Sequence, residues 1–319
     1  MRVLPFLVRR ILLAAALVLV VSSTALLSVR LSPGDHIAGF NIDPAVIAAE
    51  RHRAGLDRPL AAQYVDWLGR ALRLDLGESL KYRRPVTQLV RERAGNTFVL
   101  GFSALILATL VGIPLGVITG SRPHRALATI VQIASVVILS VPPLVTSFAL
   151  LLFALTTGWF PVGGFAVEAG SSGWLASLST HVRYLVLPIV ALALPMAASL
   201  ERLESRAMQE ALAEPSILAA RARGLSTSQV IWRHGFRLSL RPVLAIYGVI
   251  VGSILSGSFV VEIVMSWPGL GALMYEALVA RDLYLVAGCA AVGSLFLAAG
   301  VLASDVALAL VDPRVEAHA

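Results

Sequence analysis

Six stretches of this chain are apolar for long enough to cross a bilayer, and that repetition constrains its fold more than any motif does. Crossing about 30 Å of hydrocarbon takes roughly 20 residues of helix. Residues 11–29 form an uncharged run behind Arg9 and Arg10. Residues 98–119 carry Pro114, residues 126–157 carry Pro142 and Pro143, and residues 184–200 carry Pro188 and Pro195. Residues 243–261 and 285–311 complete the set. The third stretch is longer than a span needs, so its ends stay open. Its paired prolines each lack an N–H donor and crowd the preceding turn, which predicts a kink or an unwound segment there. Such a break survives in lipid only where protein or a watery cavity satisfies the freed carbonyls. The first stretch exceeds the roughly 7–15 residues of a cleaved leader's apolar core and has no A-x-A site after it, so it reads as an uncleaved span. Composition agrees. The chain is 57% hydrophobic and 14% charged, with a mean hydropathy of +0.82, whereas water-facing domains carry about 25% charged residues. The expected fold is an all-α membrane protein with about six transmembrane helices.

All but one of the 26 basic residues are arginine, and the formal net charge is +7. The arginines punctuate the apolar runs, so they serve topology and not nucleic-acid binding. Arginine-rich short loops stay cytoplasmic. Arg2, Arg9, Arg10, Arg122, Arg125, the seven arginines from Arg202 to Arg241, and Arg314 therefore mark the inner side. The outer short loops hold only Arg183 and Arg281. The loop from Arg30 to Asn96 has eleven basic residues, but it is longer than the loops over which the rule is counted. Both termini are then cytoplasmic. Residues 1–30 form an N-terminal span and residues 31–96 an extracytoplasmic loop. Residues 97–313 form a core of five spans that includes a cytoplasmic loop at 202–241. Within the outer loop, Asp43-Pro44 and Gly55 frame one short helix. From Pro59, the residues Leu60, Tyr64, Trp67, Leu68, Ala71 and Leu72 share one apolar helical face. That face rests on membrane lipid or on the chain's own spans.

The segment from Glu210 to Leu244 reads EALAEPSILAARARGLSTSQVIWRHGFRLSLRPVL. Pro215 suits the first turn of a helix, and Gly224 supplies the left-handed position that ends it. Ser226 and Gln229 have the spacing of a capping box that starts a second helix through Val230, Ile231 and Trp232. Two short helices meeting at a sharp bend are expected. Ala219, Ala220, Ala222 and Gly224 leave the first one thin, a shape suited to a groove on another protein.

This run, AARARGLS followed by His234 and Arg237, resembles the EAA loop of ABC-importer permeases, most closely the dipeptide/oligopeptide branch. Similar matches are Asn96-Thr97, GIPLG at 112–116, EIVMSWPGLG at 262–271, ARDLY at 280–284, DPRV at 312–315 and DLGES at 75–79. They run in the family's order along nearly the whole chain. The resemblance implies a type I ABC importer permease fold, with Ala219, Ala220, Arg221, Ala222, Arg223, Gly224, Leu225, His234 and Arg237 in a cytoplasmic coupling helix and its flank. It also implies a docked cytoplasmic ATPase, a second similar permease subunit and an extracytoplasmic substrate-binding protein in a bacterial inner membrane. The family's acidic residue is Leu218 here, and the asparagine after its arginine is Leu238, so the polar contacts differ from the family's pattern. Nickel, glutathione or oligosaccharide import would leave nearly the same sequence.

Missing chemistry narrows the function. Lys81 is the one lysine; Gly77 stands four before it, but no glycine directly precedes it and a tyrosine follows it, which excludes a P-loop. Cys289 stands alone, and the histidines at 36, 52, 124, 181, 234 and 318 all fall outside the apolar runs. No metal site, cofactor site or catalytic residue is expected. A proton-coupled secondary transporter would need acids or histidines deep in its spans, and only Asp305 and Glu262 approach that. Ser253, Ser256 and Ser258, with Glu262, make the fifth stretch polar and small toward its outer end. That pattern fits a pathway wall or close helix packing. The purified chain is expected to show no ATP hydrolysis in a phosphate-release assay, and turnover without a partner would overturn the P-loop argument.

Overall fold

A computed structural model describes residues 3–31, 57–163 and 174–311. The expected helix at 43–55 and the DPRV match lie outside the described residues. In chain order the helices are α1 (Val3–Leu31), α2 (Leu60–Ala71), α3 (Val86–Ser121), α4 (Ala126–Ser140), α5 (Pro143–Thr157) and α6 (Trp174–Ala213). They are followed by α7 (Pro215–Ala222), α8 (Phe236–Val264), α9 (Leu270–Val279) and α10 (Leu283–Val311). A single turn at Thr227–Gln229 and a π turn at Val230–Gly235 lead into α8. Among the described residues, β structure is limited to one bridge between Glu78 and Pro85.

Among the described residues, five helical segments are long and apolar enough to span: Val8–Val29, Val86–Ser121, Val182–Ala213, Thr227–Val264 and Leu283–Ala307. Counted as one broken span, the pair α4 and α5, bent by 105°, makes a sixth. The paired prolines do more than kink this stretch. Val141 and Pro142 are both extended, at ψ 123° and 143°, and Pro143 opens α5 at its first position. Each half has 15 residues, about 22 Å of helix and short of the hydrocarbon thickness. Other spans outrun their apolar cores. α3 begins twelve residues before Phe98, and α6 continues thirteen past Leu200, carrying Glu201 and Glu204 as helix.

The chain divides into two units. The first joins residues 1–97 to 268–299, so a late part of the expected five-span core packs with the N-terminal part. Its interior includes Leu26, Trp67, Val86, Leu270, Leu273, Leu285 and Cys289. Trp67 is 1% exposed, and the Tyr64 hydroxyl lies 2.8 Å from Ser23 Oγ on α1. Tyr64, Trp67, Leu68 and Ala71 of the apolar face thus turn onto the chain's own helices, whereas Leu72 is exposed. Distant motifs meet within this unit. Asn96 Nδ2 donates to the Pro268 carbonyl at 2.7 Å, and the Leu270 N–H donates to Thr97 Oγ1 at 2.7 Å. Buried Asp282 accepts from Ser79 Oγ at 2.5 Å and from the Lys81 N–H at 3.0 Å, while its other oxygen accepts from the Leu285 N–H at 3.2 Å and caps α10. Nearby, Lys81 and the Tyr82 hydroxyl both donate to Glu276. Burial alone would raise the Glu276 carboxyl, but those hydrogen bonds and the charges of Lys81 and Arg93 outweigh it and hold the group below its ordinary value.

The second unit, residues 98–267 with 300–319, packs α6 against α4, α5 and α8. Its core includes Leu100, Ala104 and Ala108 of α3, Leu187, Leu192, Met196 and Leu200 of α6, and Val243, Ile250 and Ile254 of α8. Gly112, Gly116 and Gly120 recur every four residues on one face of α3, and α6 lies directly on them. A Cβ at Gly112 would sit 2.6 Å from the Ala197 carbonyl oxygen. One at Gly116 would sit 2.6 Å from Glu204 Cβ and 2.8 Å from the Glu201 carbonyl oxygen, and one at Gly120 would sit 2.4 Å from the Ser205 carbonyl oxygen. Small residues let helix backbones touch in this way where lipid supplies no hydrophobic drive. Gly116→Val is expected to cost about 1–3 kcal/mol through overpacking against a rigid backbone. Gly95→Ala, with nothing within 4 Å of the added methyl, should be neutral or mildly stabilising. Thermal unfolding of the two variants in detergent checks the contrast.

Candidate functional site

The segment between α6 and α8 begins with a helix set by local signals. Glu214 turns the chain at ψ 140°, and Pro215 opens α7 at its first position. The helix lasts 8 residues. Arg223 and Gly224 close it, the Gly224 N–H donating to the Arg221 carbonyl at 2.9 Å with Gly224 at φ +83°. A residue with a Cβ is strained at that angle, which is why glycine stands there. Two residues later the capping box is complete. The Gln229 N–H donates to Ser226 Oγ at 3.3 Å, and the Ser226 N–H donates to Gln229 Oε1 at 3.0 Å.

After this cap the structure departs from the expected second short helix. One turn at Thr227–Gln229 passes straight into the π turn, which merges with α8. Val230, Ile231 and Gly235 are buried there. Ile231 packs with Val117 and Met208, and Gly235 lies beneath Leu212 and Met208, where a Cβ would be 3.2 Å from each side chain. A wider turn with one extra residue shifts the register of the side chains that follow it. It thereby brings Gly235 against α6 while Trp232 stays half exposed.

The expected site residues divide by face. Ile217 and Ala220 are each 1% exposed and seat α7 against α6 and the π turn. Ala220, grouped by sequence with the small docking residues, therefore turns inward, because it lies three positions from Ile217 on the same helical face. Ala219, Arg221, Ala222, Arg223 and Gly224 are exposed, and Leu225 and His234 are half-buried. Arg237 is exposed at the start of α8. The four residues of the supposed pathway wall split as well. Ser253 and Ser256 are exposed, whereas Ser258 and Glu262 are buried within the chain, with the Glu262 carbonyl accepting from the Trp267 N–H at 2.8 Å.

Two features escape a sequence reading. Leu218 and Trp232 are 55% and 50% exposed, adding apolar surface beside the small residues. Their signal was an apolar residue facing away from Ile217 and Val230. Beneath the loop, Glu201 and Glu204 of α6 are almost wholly buried. Thr119 Oγ1 of α3 donates to Glu201 Oε1 at 2.6 Å, and Ser239 Oγ of α8 donates to Glu204 Oε1 at 2.6 Å. In sequence these acids sit among Arg202 and Arg206 at the end of an apolar run, where charges usually only mark an interface. Among the described residues no group of three or more His, Cys, Asp or Glu side chains could hold a metal ion.

Comparison with known proteins adds the family. A family described as "Binding-protein-dependent transport system inner membrane component" matches residues 112–317, and its N-terminal counterpart matches residues 3–101. The chain is similar to the oligopeptide transport system permease protein AppB of Bacillus subtilis (strain 168), with 31% identity over 317 residues that cover 98% of this chain and 99% of the relative. It is also similar to the di/tripeptide transport system permease protein DppB of Pseudomonas aeruginosa (strain UCBPP-PA14), with 32% identity over 307 residues covering 90% and 91% of the two chains.

The capping box should set the local stability of the loop. Ser226→Ala is expected to cost about 1 kcal/mol, read as roughly fivefold faster hydrogen exchange at the Gln229 amide.

Proposed function

The chain belongs to the binding-protein-dependent transport system inner membrane components, and from that premise we propose that it carries dipeptides or oligopeptides inward as the permease subunit of an ATP-driven importer. It is a multi-pass inner membrane protein and not itself the catalyst. The peptide assignment is supported by the two relatives, which bear oligopeptide and di/tripeptide names and align over 98% and 90% of this chain. ATP is hydrolysed by separate cytoplasmic subunits, because this chain has no P-loop. Peptide arrives from an extracytoplasmic binding protein, and a second similar permease supplies the other half of the pathway. The arginine distribution supports cytoplasmic termini and a cytoplasmic α7.

One observation carries the docking reading: α7 presents an exposed strip of Leu218, Ala219, Ala222 and Gly224, edged by Arg221 and Arg223, that the chain itself does not cover. Trp232 stands exposed on the following turn. A thin helix with apolar anchors and cationic rims suits a groove with an acidic edge on an ATPase. Among the described residues nothing lies within 4 Å of a Cβ added at Gly224, so an aspartate there, one of the side chains that best tolerate a left-handed backbone angle, meets no clash within the fold. Gly224→Asp is expected to leave membrane insertion intact while abolishing copurification with an ATPase subunit. Unchanged copurification would refute the docking.

A further inference from the structure

The loop 214–235 leaves the end of α6 and returns through the π turn into α8, so any movement imposed on it has two routes into the spans. A buried link joins the two routes. Glu204, ten residues before Glu214, accepts a hydrogen bond from Ser239, four residues after Gly235, at 2.6 Å. Both residues are at most 1% exposed. One helical turn away from Glu204 toward the start of α6, Glu201 makes the matching bond to Thr119 at the end of α3, again at 2.6 Å and fully buried. The Gly112–Gly116–Gly120 face presses the same stretch of α6 against α3. The foot of α6 is thus tied to α3 by one carboxylate and to α8 by the other. The second oxygens of both carboxylates are buried with no hydrogen-bond partner among the described residues. Burying two carboxylates with half their acceptors unused is costly. A design that served packing alone would place apolar side chains there.

We propose that the Glu204–Ser239 hydrogen bond is a pivot that obliges α6 and α8 to move together when loop 214–235 is displaced, so that work done on the loop reaches the transport pathway. Ser239 and Glu204 are positioning residues: neither lies on the exposed docking strip, and each acts through the helices it joins. The π turn interrupts the α-helical ladder between the loop and α8, and such turns are where helices bend. Without the pivot that bending is absorbed before it reaches α8. The proposal rests on the reading of this loop as the ATPase-docking surface.

The test uses the complete importer in proteoliposomes, scoring ATPase copurification, ATP hydrolysis and uptake of a labelled peptide. Ser239→Ala is expected to keep copurification and hydrolysis, while peptide taken up per ATP falls about tenfold, within the usual range of coupling between sites. Ser239→Thr, which keeps the hydroxyl, should restore the ratio. Glu204→Gln, which keeps an acceptor oxygen for Ser239, should retain most of it. A merely structural role would lower the yield of complex and leave the ratio unchanged. Should Ser239→Ala fail to accumulate, Ser239→Cys keeps the size with a weaker donor and is scored in the same way. A wild-type chain that copurifies with no ATPase overturns the docking reading and the pivot together. A wild-type complex whose Ser239 variant keeps its uptake per ATP overturns the pivot alone.

Discussion

Hydrocarbon offers two helices little gain from burying apolar side chains against each other, so what holds spans together is closeness itself. In the second unit that closeness is set by α3 and α6, whose backbones touch over three successive glycines of α3. Dispersion falls off steeply with separation, and a single methyl on this face would force the two helices apart. The same approach brings the Thr119 hydroxyl within 2.6 Å of Glu201, so a polar link forms where a wider gap would leave the carboxylate alone. Loss of the glycine face would therefore remove packing and strand a buried acid at once.

Much of this architecture was legible in the chain because it depends on neighbouring residues. Span positions follow from run length, the broken third span from Pro142-Pro143, and the closed turn of α7 from Gly224 and the Ser226–Gln229 pair. Those signals act within one or two turns of helix. The features that escaped need knowledge of what faces what. Ala219 and Ala220 are alike in type and adjacent in sequence, yet a step of about 100° around a helix exposes one and buries the other. Glu201 and Glu204 read as interfacial charges because residue type carries no direction. The π turn lacks any residue signature of its own; it arises because Ile231 and Gly235 both find places against α6 and α3 side chains.

The scattered family motifs acquire a physical meaning once folded. DLGES and ARDLY are about two hundred residues apart, and Asp282 joins them by accepting from Ser79 and the Lys81 N–H while capping α10. Asn96-Thr97 and the WPGLG segment meet through a side-chain amide and a hydroxyl that satisfy backbone groups at the start of α9. Each motif is half of a contact. This explains why single motifs are weakly informative, whereas their joint presence in order is specific: a half-contact has no use without its complement. The fourth and fifth spans show the same economy, with one carboxylate–hydroxyl pair fastening the two ends of an excursion about 35 residues long.

The exposed side chains of α7 add little to the packing of their own chain. Ile217 and Ala220 anchor the helix, and Leu218 and Ala219 between them are exposed. Under the proposed docking, drift at Leu218, Ala219 or Ala222 would be filtered by the binding partner, whereas drift at Ile217 or Ala220 is filtered by folding. On that proposal, lineages that share this scaffold could diverge in which motor they accept without first finding a new way to fold.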